Sequence, residues 1–382
     1  MSPDCQETEP EIETTAETDF DESRSETCRR RLQRLDAVAR SRSGEANSRF
    51  LYVIEQGTVV RRASGRIVVT KEDTKLMEIP VIKLQGILLY GNIQITTQCI
   101  RSLLEEGIWV SFLSRSGSYK GRLQPPHERG GRLRQVQWQR SQDPAFALGF
   151  GRAVVRGKLL GQKKVAAAYA KNYLAETLGE AHTILRDSLE RLDSVESLEE
   201  LRGIEGTASR AYFDLFKRWN RSELPFDGRH KRTAADPINA LLNLGYTMLT
   251  RELEALIESA GFDPAVGFYH LPDNDRPSLA CDWVEEFRHV VVDRVVLKLV
   301  NNRVVQPAHF EVHEDKGGVR IRPEGLRKFL DAYEKVLTGP GDEGEQMPGF
   351  RSVFLNRLAA LLDAVVRGQS YQSHLEMTPE AA

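Results

Sequence analysis

The 382-residue chain has no long hydrophobic run. A helix that crosses a membrane needs about 20 consecutive apolar residues, so the sequence excludes a protein anchored by such helices. The N-terminus is acidic, whereas secretory signals and mitochondrial transit peptides are basic. These absences predict a cytoplasmic protein without a membrane partner.

Cysteine is also scarce. The chain has only Cys5, Cys28, Cys99 and Cys281, and no two of them lie within four residues of each other. This spacing excludes the CxxC pairs of zinc and iron–sulfur sites. Scattered thiols in a chain of this size indicate a reduced cytosolic protein rather than a disulfide scaffold.

The small net charge of −2 hides two oppositely charged parts. Residues 1–27 contain ten acids and one arginine, which leaves residues 28–382 at +7. A mildly basic body is compatible with a polyanionic partner, although +7 is modest for its length.

Residues 1–48 are predicted to form a disordered tail, acidic at first and then rich in arginine. The acidic part has too few large apolar residues to order itself. Its two halves would attract each other as solvated charge blocks. The alternative is a nucleic-acid arm or the remnant of a fused module.

Residues 49–123 are predicted to form a β-rich domain. The run RFLYVIEQGTVVRRASGRIVVT has strand-forming segments interrupted by Gly57 and by Ser64-Gly65. The further predicted elements are strands at Met77–Leu84, Gly86–Leu89 and Ile108–Leu113 and a helix at Thr96–Glu106.

Residues 124–143 are predicted to be a basic linker, and residues 144–370 a larger all-α domain, so the fold class is α+β. Pro125-Pro126 and Gly130-Gly131 interrupt regular structure in the linker. Residues 371–382 are expected to fray. Apolar residues at spacings of three and four predict the following helices: Ala145–Leu178, Ala181–Leu192, Leu198–Trp219, Asp236–Ala260, Ser278–Val300, Glu324–Leu337 and Phe350–Gly368. A small hairpin or loop is expected at residues 303–322.

Three segments contain groups that can hold a metal ion. They are Gly203-Ile-Glu205-Gly206, the turn Gly267-Phe-Tyr-His270 and the helix that begins at Ser278. Flanking glycines allow close approach to Glu205. On spacing alone each segment is more often structural, because acids favour a helix N-terminus and a single histidine after aromatics is often a satisfied structural residue.

The helix after Ser278 also has a polar stripe. Its members fall at offsets 0, 3, 4, 7 and 11 and are Asp282, Glu285, Glu286, His289 and Asp293. Such a stripe is by default the solvent face of an amphipathic helix. The alternative is a functional face with several carboxylates.

The order of these motifs resembles the CRISPR-associated adaptation integrases, the "Cas one" family. The residues that match are Gly203–Gly206, Arg232 with Asp236-Pro-Ile-Asn-Ala240, Gly267–His270 and Ser278–Arg288. Gly91–Thr96 and Gly107–Leu113 match in the β-rich half. The likeness covers residues 50 to about 370, and four motifs in the same order form a specific signal.

The resemblance implies that the helical domain is catalytic and that the protein is a homodimer. It implies metal ligands at Glu205, His270 and Asp282, with Glu285 as a second catalytic acid. Two carboxylates and an imidazole favour Mg2+ or Mn2+. Such a cation would stabilise the phosphoryl group and activate the attacking oxygen.

The implied activity is that of a metal-dependent DNA endonuclease and integrase. It would insert short foreign DNA fragments (spacers) into a CRISPR array by attack of a 3′-hydroxyl on repeat DNA. The implied partners are double-stranded DNA with exposed 3′ ends, CRISPR repeat DNA and the small "Cas two" protein. The alternatives are a structure-selective nuclease for branched DNA in repair and a non-catalytic DNA-binding scaffold.

Seven basic residues are candidates for phosphate contacts, which provide affinity without sequence readout. For Arg288 the alternative is a pair with Glu285, three residues before it. Tyr52, Tyr90 and Trp109 could stack on bases, although core packing is the expected role of each. The seven candidates are Arg132, Arg134, Lys158, Lys163, Lys164, Arg232 and Arg288.

Overall fold

A computed structural model describes most of the chain from residue 49 onward. The described residues are 49–115, 117–123, 131–170, 179–230, 234–270, 276–312, 318–339 and 349–377. The predicted N-terminal tail, residues 124–130 of the predicted linker and Arg232 lie outside them. Within the described residues, no helix combines the length and the apolar character needed to cross a membrane.

The β-rich half consists of two four-stranded sheets and one helix. The first sheet has the order β1-β5-β7-β8, and the second has the order β4-β3-β2-β6. The elements are β1 (Arg49–Val53), β2 (Val59–Ala63), β3 (Arg66–Lys71), β4 (Thr74–Pro80), β5 (Leu84–Tyr90), β6 (Gln94–Ile95), α1 (Thr97–Glu105), β7 (Trp109–Leu113) and β8 (Tyr119–Leu123).

A tight hairpin joins β2 to β3 where the sequence has Ser64-Gly65. Ala63 pairs with Arg66, and the two residues between them have φ of +46° and +73°. Two successive positive φ values are typical of a type I′ turn, which matches the twist of the strands that it connects. The predicted interruption between two strands is therefore a β-turn.

Strand β5 contributes to two different hydrophobic cores. Ile87 and Leu89 belong to the core of the β-rich half, together with α1 and the second sheet. Leu88 and Tyr90 belong to the large core of the helical half. Because alternate side chains of a strand point to opposite faces, the first sheet is buried on both sides and joins the two halves.

The helical half follows the predicted periodicity closely. The segment predicted as one helix at Ser278–Val300 is helical along most of its length. A π-helical turn at His289–Asp293 interrupts it, so it is not one regular α-helix. A short hairpin of β9 (Phe310–Val312) and β10 (Val319–Ile321) lies where one was expected. The helices are α2 (Gly131–Ser141), α3 (Pro144–Ala170), α4 (Gly179–Arg191), α5 (Leu198–Trp219), α6 (Pro237–Ser259), α7 (Ser278–Val284), α8 (Arg294–Asn301), α9 (Pro323–Thr338) and α10 (Phe350–Arg367).

The Asp-Pro-x-Asn motif builds the start of α6. Asp236 accepts a hydrogen bond from the Asn239 backbone N–H at 2.7 Å, and Pro237 occupies the first turn. The Asn239 amide donates to Asp236 and to the Gly228 carbonyl, at 2.7 and 2.8 Å. The motif therefore caps a helix and fixes the preceding loop.

Two segments differ from the sequence expectation. Helix α2 forms inside the stretch assigned to the linker, because the buried Gln137 anchors it to the loop at Asp263 and Val266. The expected fraying of residues 371–382 is wrong for residues 371–377. Tyr371 is buried there and accepts a hydrogen bond from the Trp283 indole at 2.9 Å.

One arginine, whose side chain is 12% exposed, connects the two halves. Arg351 of α10 donates to Glu252 at 2.6 Å and forms a bidentate pair with Glu334 at 2.7 and 2.8 Å. Its guanidinium lies 4.0 Å from the centre of the Phe50 ring in β1. The Tyr52 hydroxyl, also in β1, donates to Glu334. The first sheet is therefore attached to α9 and α10 through one cation.

We predict that Arg351→Ala lowers the free energy of unfolding by about 3–5 kcal/mol, because it leaves two largely buried carboxylates without their cation. Urea denaturation measures this change. The matched control is Arg327→Ala, which removes an exposed ion pair with Glu55 and should cost less than about 1 kcal/mol. Equal losses for both variants would contradict the assigned role of Arg351.

Candidate active site

Helix α5 presents Glu205 toward α3 and the turn before α7. The helix begins at the Ser197 cap, whose hydroxyl accepts from the Glu200 backbone N–H at 3.2 Å. A Cβ atom built on Gly203 or on Gly206 would have no atom within 4 Å. The space beside these two glycines is therefore open to a ligand.

The turn at residues 267–270 is fixed by one carboxylate. Asp282 accepts backbone hydrogen bonds from Phe268, Tyr269 and His270 at 2.7, 3.0 and 2.8 Å. Its Oδ1 also lies 2.7 Å from His270 Nδ1. A Cβ on Gly267 would lie 2.8 Å from Asp282 Oδ2, so only glycine allows this close approach.

These contacts argue against the assignment of Asp282 as a metal ligand. A carboxylate offers about four lone-pair positions, and the four contacts of Asp282 use them while the residue is fully buried. A carboxylate that holds one ring nitrogen of a histidine typically orients that histidine toward a metal. Asp282 therefore positions His270 and leaves its Nε2 as the nitrogen available to a ligand.

The two glutamates share a buried ammonium. Lys158 of α3 pairs with Glu205 and, at 2.9 Å, with Glu285. The other oxygen of Glu205 accepts from the Tyr269 hydroxyl at 2.7 Å. Arg288 pairs with Glu285 at 2.8 Å, which confirms the alternative interpretation of that arginine.

Lys158 is thus not the surface phosphate contact that the sequence suggested. Its side chain is 6% exposed and is neutralised by two carboxylates. The sequence carried only a weak signal for Lys158, because Arg156, Lys163 and Lys164 lie in the same helix and share its charge. Lysine is almost never fully buried unless it is paired, so its position in the middle of a buried helix required acidic partners.

The charges of the site shift the pKa values of its members. Burial raises the pKa of Glu285, but Arg288 and Lys158 outweigh burial and hold that pKa well below its usual range. Burial likewise opposes ionisation of Glu205, and Lys158 more than offsets it, so the pKa of Glu205 is lowered. Burial lowers the pKa of His270, but the hydrogen bond and charge of Asp282 reverse this effect and raise it.

The side chains of the site are of the chemical types that bind a hard or borderline metal cation. Glu205, Glu285 and the Nε2 of His270 are the carboxylate and imidazole donors that Mg2+ and Mn2+ accept. In the part of the chain that the structure describes, however, no three His, Cys, Asp or Glu side chains are placed to hold one metal ion. Instead, the Lys158 ammonium links Glu205 and Glu285.

The polar stripe of this segment is buried, so its interpretation as a solvent face is wrong. Glu286 accepts hydrogen bonds from the Tyr371 hydroxyl and from the His374 backbone N–H. Burial raises the pKa of Glu286 to about 7. A carboxylate can be buried here because the C-terminal segment supplies its partners.

The π-helical turn carries a second buried network. Asp293 accepts from the Tyr212 and Tyr246 hydroxyls at 2.9 and 2.5 Å. It also lies 2.6 Å from His289 Nδ1, and His289 Nε2 lies 3.2 Å from the Gln162 amide. These partners come from α3, α5 and α6, so sequence spacing alone gave no signal for them.

The other basic candidates lie outside this cluster. Arg132, Arg134 and Lys163 are exposed, and Lys164 is half-buried. Of the aromatic candidates, Tyr90 is buried, while Tyr52 and Trp109 are half-buried and pack on the helical core. The expectation that these three rings serve packing is confirmed.

We predict that Lys158→Met destabilises the protein by about 3–5 kcal/mol, because Glu205 and Glu285 then face each other without a shared cation. Urea denaturation measures the loss, with the exposed Lys163→Met as the matched control. The added change Glu285→Gln should recover part of the loss. A cost below about 1 kcal/mol for Lys158→Met would contradict this account.

Comparison with known proteins identifies the family. The family model described as "CRISPR associated protein Cas1" matches residues 51–335. A CRISPR-associated endonuclease Cas1 of Thermodesulfovibrio yellowstonii is 36% identical over 260 residues, which cover 67% of this chain and 81% of the relative.

Two solved structures share the fold. A casposase bound to an integration product has a TM-score of 0.74 at 22% identity. The match covers 87% of this chain and 95% of the casposase chain. A chain of a Cas6-RT-Cas1–Cas2 complex has a TM-score of 0.75 at 23% identity. The match covers 87% of this chain and 37% of the chain in the complex. The chain therefore belongs to the Cas1 family of CRISPR-associated endonucleases.

Proposed function

We propose that this protein is a metal-dependent DNA integrase that inserts short foreign DNA fragments into a CRISPR array. The observation that carries the proposal is the cluster in which Glu205 and Glu285 share one buried cation, close to a histidine that Asp282 orients. The similar fold of a casposase bound to an integration product supports integration as the reaction class.

Glu205, Glu285 and His270 would hold the Mg2+ or Mn2+ ion. This set replaces the Asp282 of the sequence-based assignment with Glu285, because Asp282 has no lone pair left. A bound ion of this kind stabilises negative charge on a phosphoryl group and lowers the pKa of the attacking oxygen. As the side chains stand, the Lys158 ion pairs have to open before an ion can bind both glutamates.

The reaction is a transesterification at phosphorus. The 3′-oxygen of the incoming fragment forms a new bond to a phosphorus of the repeat strand, and the bond from that phosphorus to the 3′-oxygen of the same strand breaks. The proton lost by the attacking hydroxyl is balanced by one gained by the leaving oxygen. Once its pairs with the two glutamates open, Lys158 would add positive charge near the phosphoryl group together with Arg288. Positioning with charge neutralisation is what phosphoryl transfer mainly requires.

The proposed partners are DNA and two proteins. The DNA substrates are double-stranded fragments with exposed 3′ ends and CRISPR repeat DNA, and Arg132, Arg134 and Lys163 are exposed for phosphate contacts. We include Lys164 and Arg232 among these contacts. We also propose a homodimer that acts in the cytoplasm with Cas2 as its protein partner. The similarity to a chain of a Cas1–Cas2 complex supports the Cas2 partner.

The alternative is a structure-selective nuclease that acts on branched DNA with the same residues. It differs only in the nucleophile, because water instead of a 3′-hydroxyl would attack the phosphorus. The cluster of charged side chains disfavours a non-catalytic scaffold, which requires Glu205, His270 and Asp282 to lie far apart. Asp282 and His270 are instead in direct contact.

We predict that His270→Ala abolishes strand transfer while DNA binding stays within a few-fold of wild type. The assay incubates protein, with and without Cas2, with a labelled short duplex and a supercoiled repeat plasmid in Mg2+ or Mn2+. Label joined to the plasmid is the readout, and the exposed His182→Ala is the control. Full activity of His270→Ala would overturn the assignment of the site, and cleaved DNA without joined label would favour the nuclease.

A second prediction separates Glu285 from Asp282 without using activity. Mn2+ binding is measured by electron paramagnetic resonance of the free ion. Glu285→Gln should remove the site because it deletes a direct ligand, whereas Asp282→Asn should weaken it about 10- to 100-fold through misplacement of His270. The reverse order of effects would restore Asp282 as the ligand.

A further inference from the structure

One large aromatic side chain of the helical half lies on the surface. Trp138 of α2 is 55% exposed, whereas Trp219 and Trp283 are buried and Trp109 packs against the core. A single exposed apolar residue needs no explanation by itself. What lies around Trp138 decides whether it has a role.

The helix that carries Trp138 is basic and contains no acid. Its sequence is GRLRQVQWQRS, and Arg132 and Arg134 are exposed together with Gln135 and Gln139. Arg134 precedes Trp138 by four residues, so the two side chains are neighbours on one face. An exposed ring beside cationic and amide groups is complementary to a nucleic-acid strand, because bases stack on the ring and phosphates pair with arginine.

An adjacent face of α2, which includes Gln137, is attached to the loop that leads into the active site. The buried amide of Gln137 donates to the carbonyls of Asp263 and Val266 at 2.8 and 2.7 Å and accepts from the Asp263 N–H at 2.9 Å. Arg134 also donates to the Gly261 carbonyl at 3.4 Å. Val266 lies four residues before His270, and four residues span at most about 14 Å.

We infer that Trp138 stacks on a nucleobase at the end of the DNA fragment whose 3′-hydroxyl enters the active site. Val266, whose carbonyl accepts from Gln137, lies at most about 14 Å from His270, so α2 is attached close to the turn that carries this histidine. Arg132 and Arg134 contact the phosphates of the same end. This inference rests on the proposed action on DNA ends and adds to it a residue that recognises the end.

Stacking is sequence-tolerant, which fits an enzyme that takes up fragments of any sequence. Removal of a stacking ring typically weakens binding about 5- to 150-fold. The exposed ring is better suited to this role than Tyr52, Tyr90 or Trp109, whose faces are packed within the protein.

The experiment uses the full chain and duplexes with 2-aminopurine at one of the four 3′-terminal positions. The fluorescence of this base falls when it stacks. We expect wild type and Trp138→Phe to quench it at one or two of these positions. Trp138→Ala should abolish the quenching and weaken binding by the stated factor, with an unchanged salt dependence. Arg134→Ala should instead reduce that salt dependence.

The matched control is Val312→Ala, which shortens another exposed apolar side chain and should change neither signal. Three outcomes would overturn the inference. The first is equal quenching by wild type and Trp138→Ala while His270-dependent strand transfer continues, which leaves the proposed function intact. The second is unchanged DNA binding with loss of dimer mass or of Cas2 association, which makes Trp138 a protein contact. In the third, wild type binds no DNA, and the proposed function fails as well.

Discussion

The arrangement of the site depends on one buried ammonium. Lys158 lies in the middle of α3 and neutralises Glu205 from α5 and Glu285 from the segment after α7. Ionised carboxylates in an apolar interior are stable only when a cation compensates them. Three helical elements are thus held in one relative position by charge as well as by packing. The same requirement underlies the proposed metal site, because the two carboxylates would need another cation if Lys158 moved away.

The fold was largely predictable from the sequence, and the roles of individual residues were less so. Helix periodicity located α5 at Leu198–Trp219 without error, because its apolar stripe is regular and Ser197 caps it. The resemblance located Glu205, His270 and Asp282, but it did not show the difference between a carboxylate with free lone pairs and one whose oxygens are saturated by hydrogen bonds. That difference depends on backbone N–H groups of Phe268, Tyr269 and His270, which converge on Asp282 only in the folded chain.

The buried polar stripe shows why amphipathic patterns mislead in a large helical core. Glu286, His289 and Asp293 have partners from the C-terminal segment, α3, α5 and α6, so these three side chains meet other polar groups rather than solvent. Periodicity records which side chains share a face but not what covers that face. Here polar side chains of the same protein cover that face. The network reaches the site through Tyr246, which donates to Asp293 and whose ring centre lies 4.9 Å from the Arg288 guanidinium.

Strand β5 also determines how this protein can be divided. Its alternate side chains complete two cores, with Ile87 and Leu89 in one and Leu88 and Tyr90 in the other. A cut between the β-rich and helical halves would therefore open an apolar cleft in the helical half instead of releasing a finished domain. A one-residue shift of β5 would exchange the two sets of side chains and damage both cores at once. The two halves therefore depend on each other through this strand. A recombination event that replaced one half would have to preserve the register of β5.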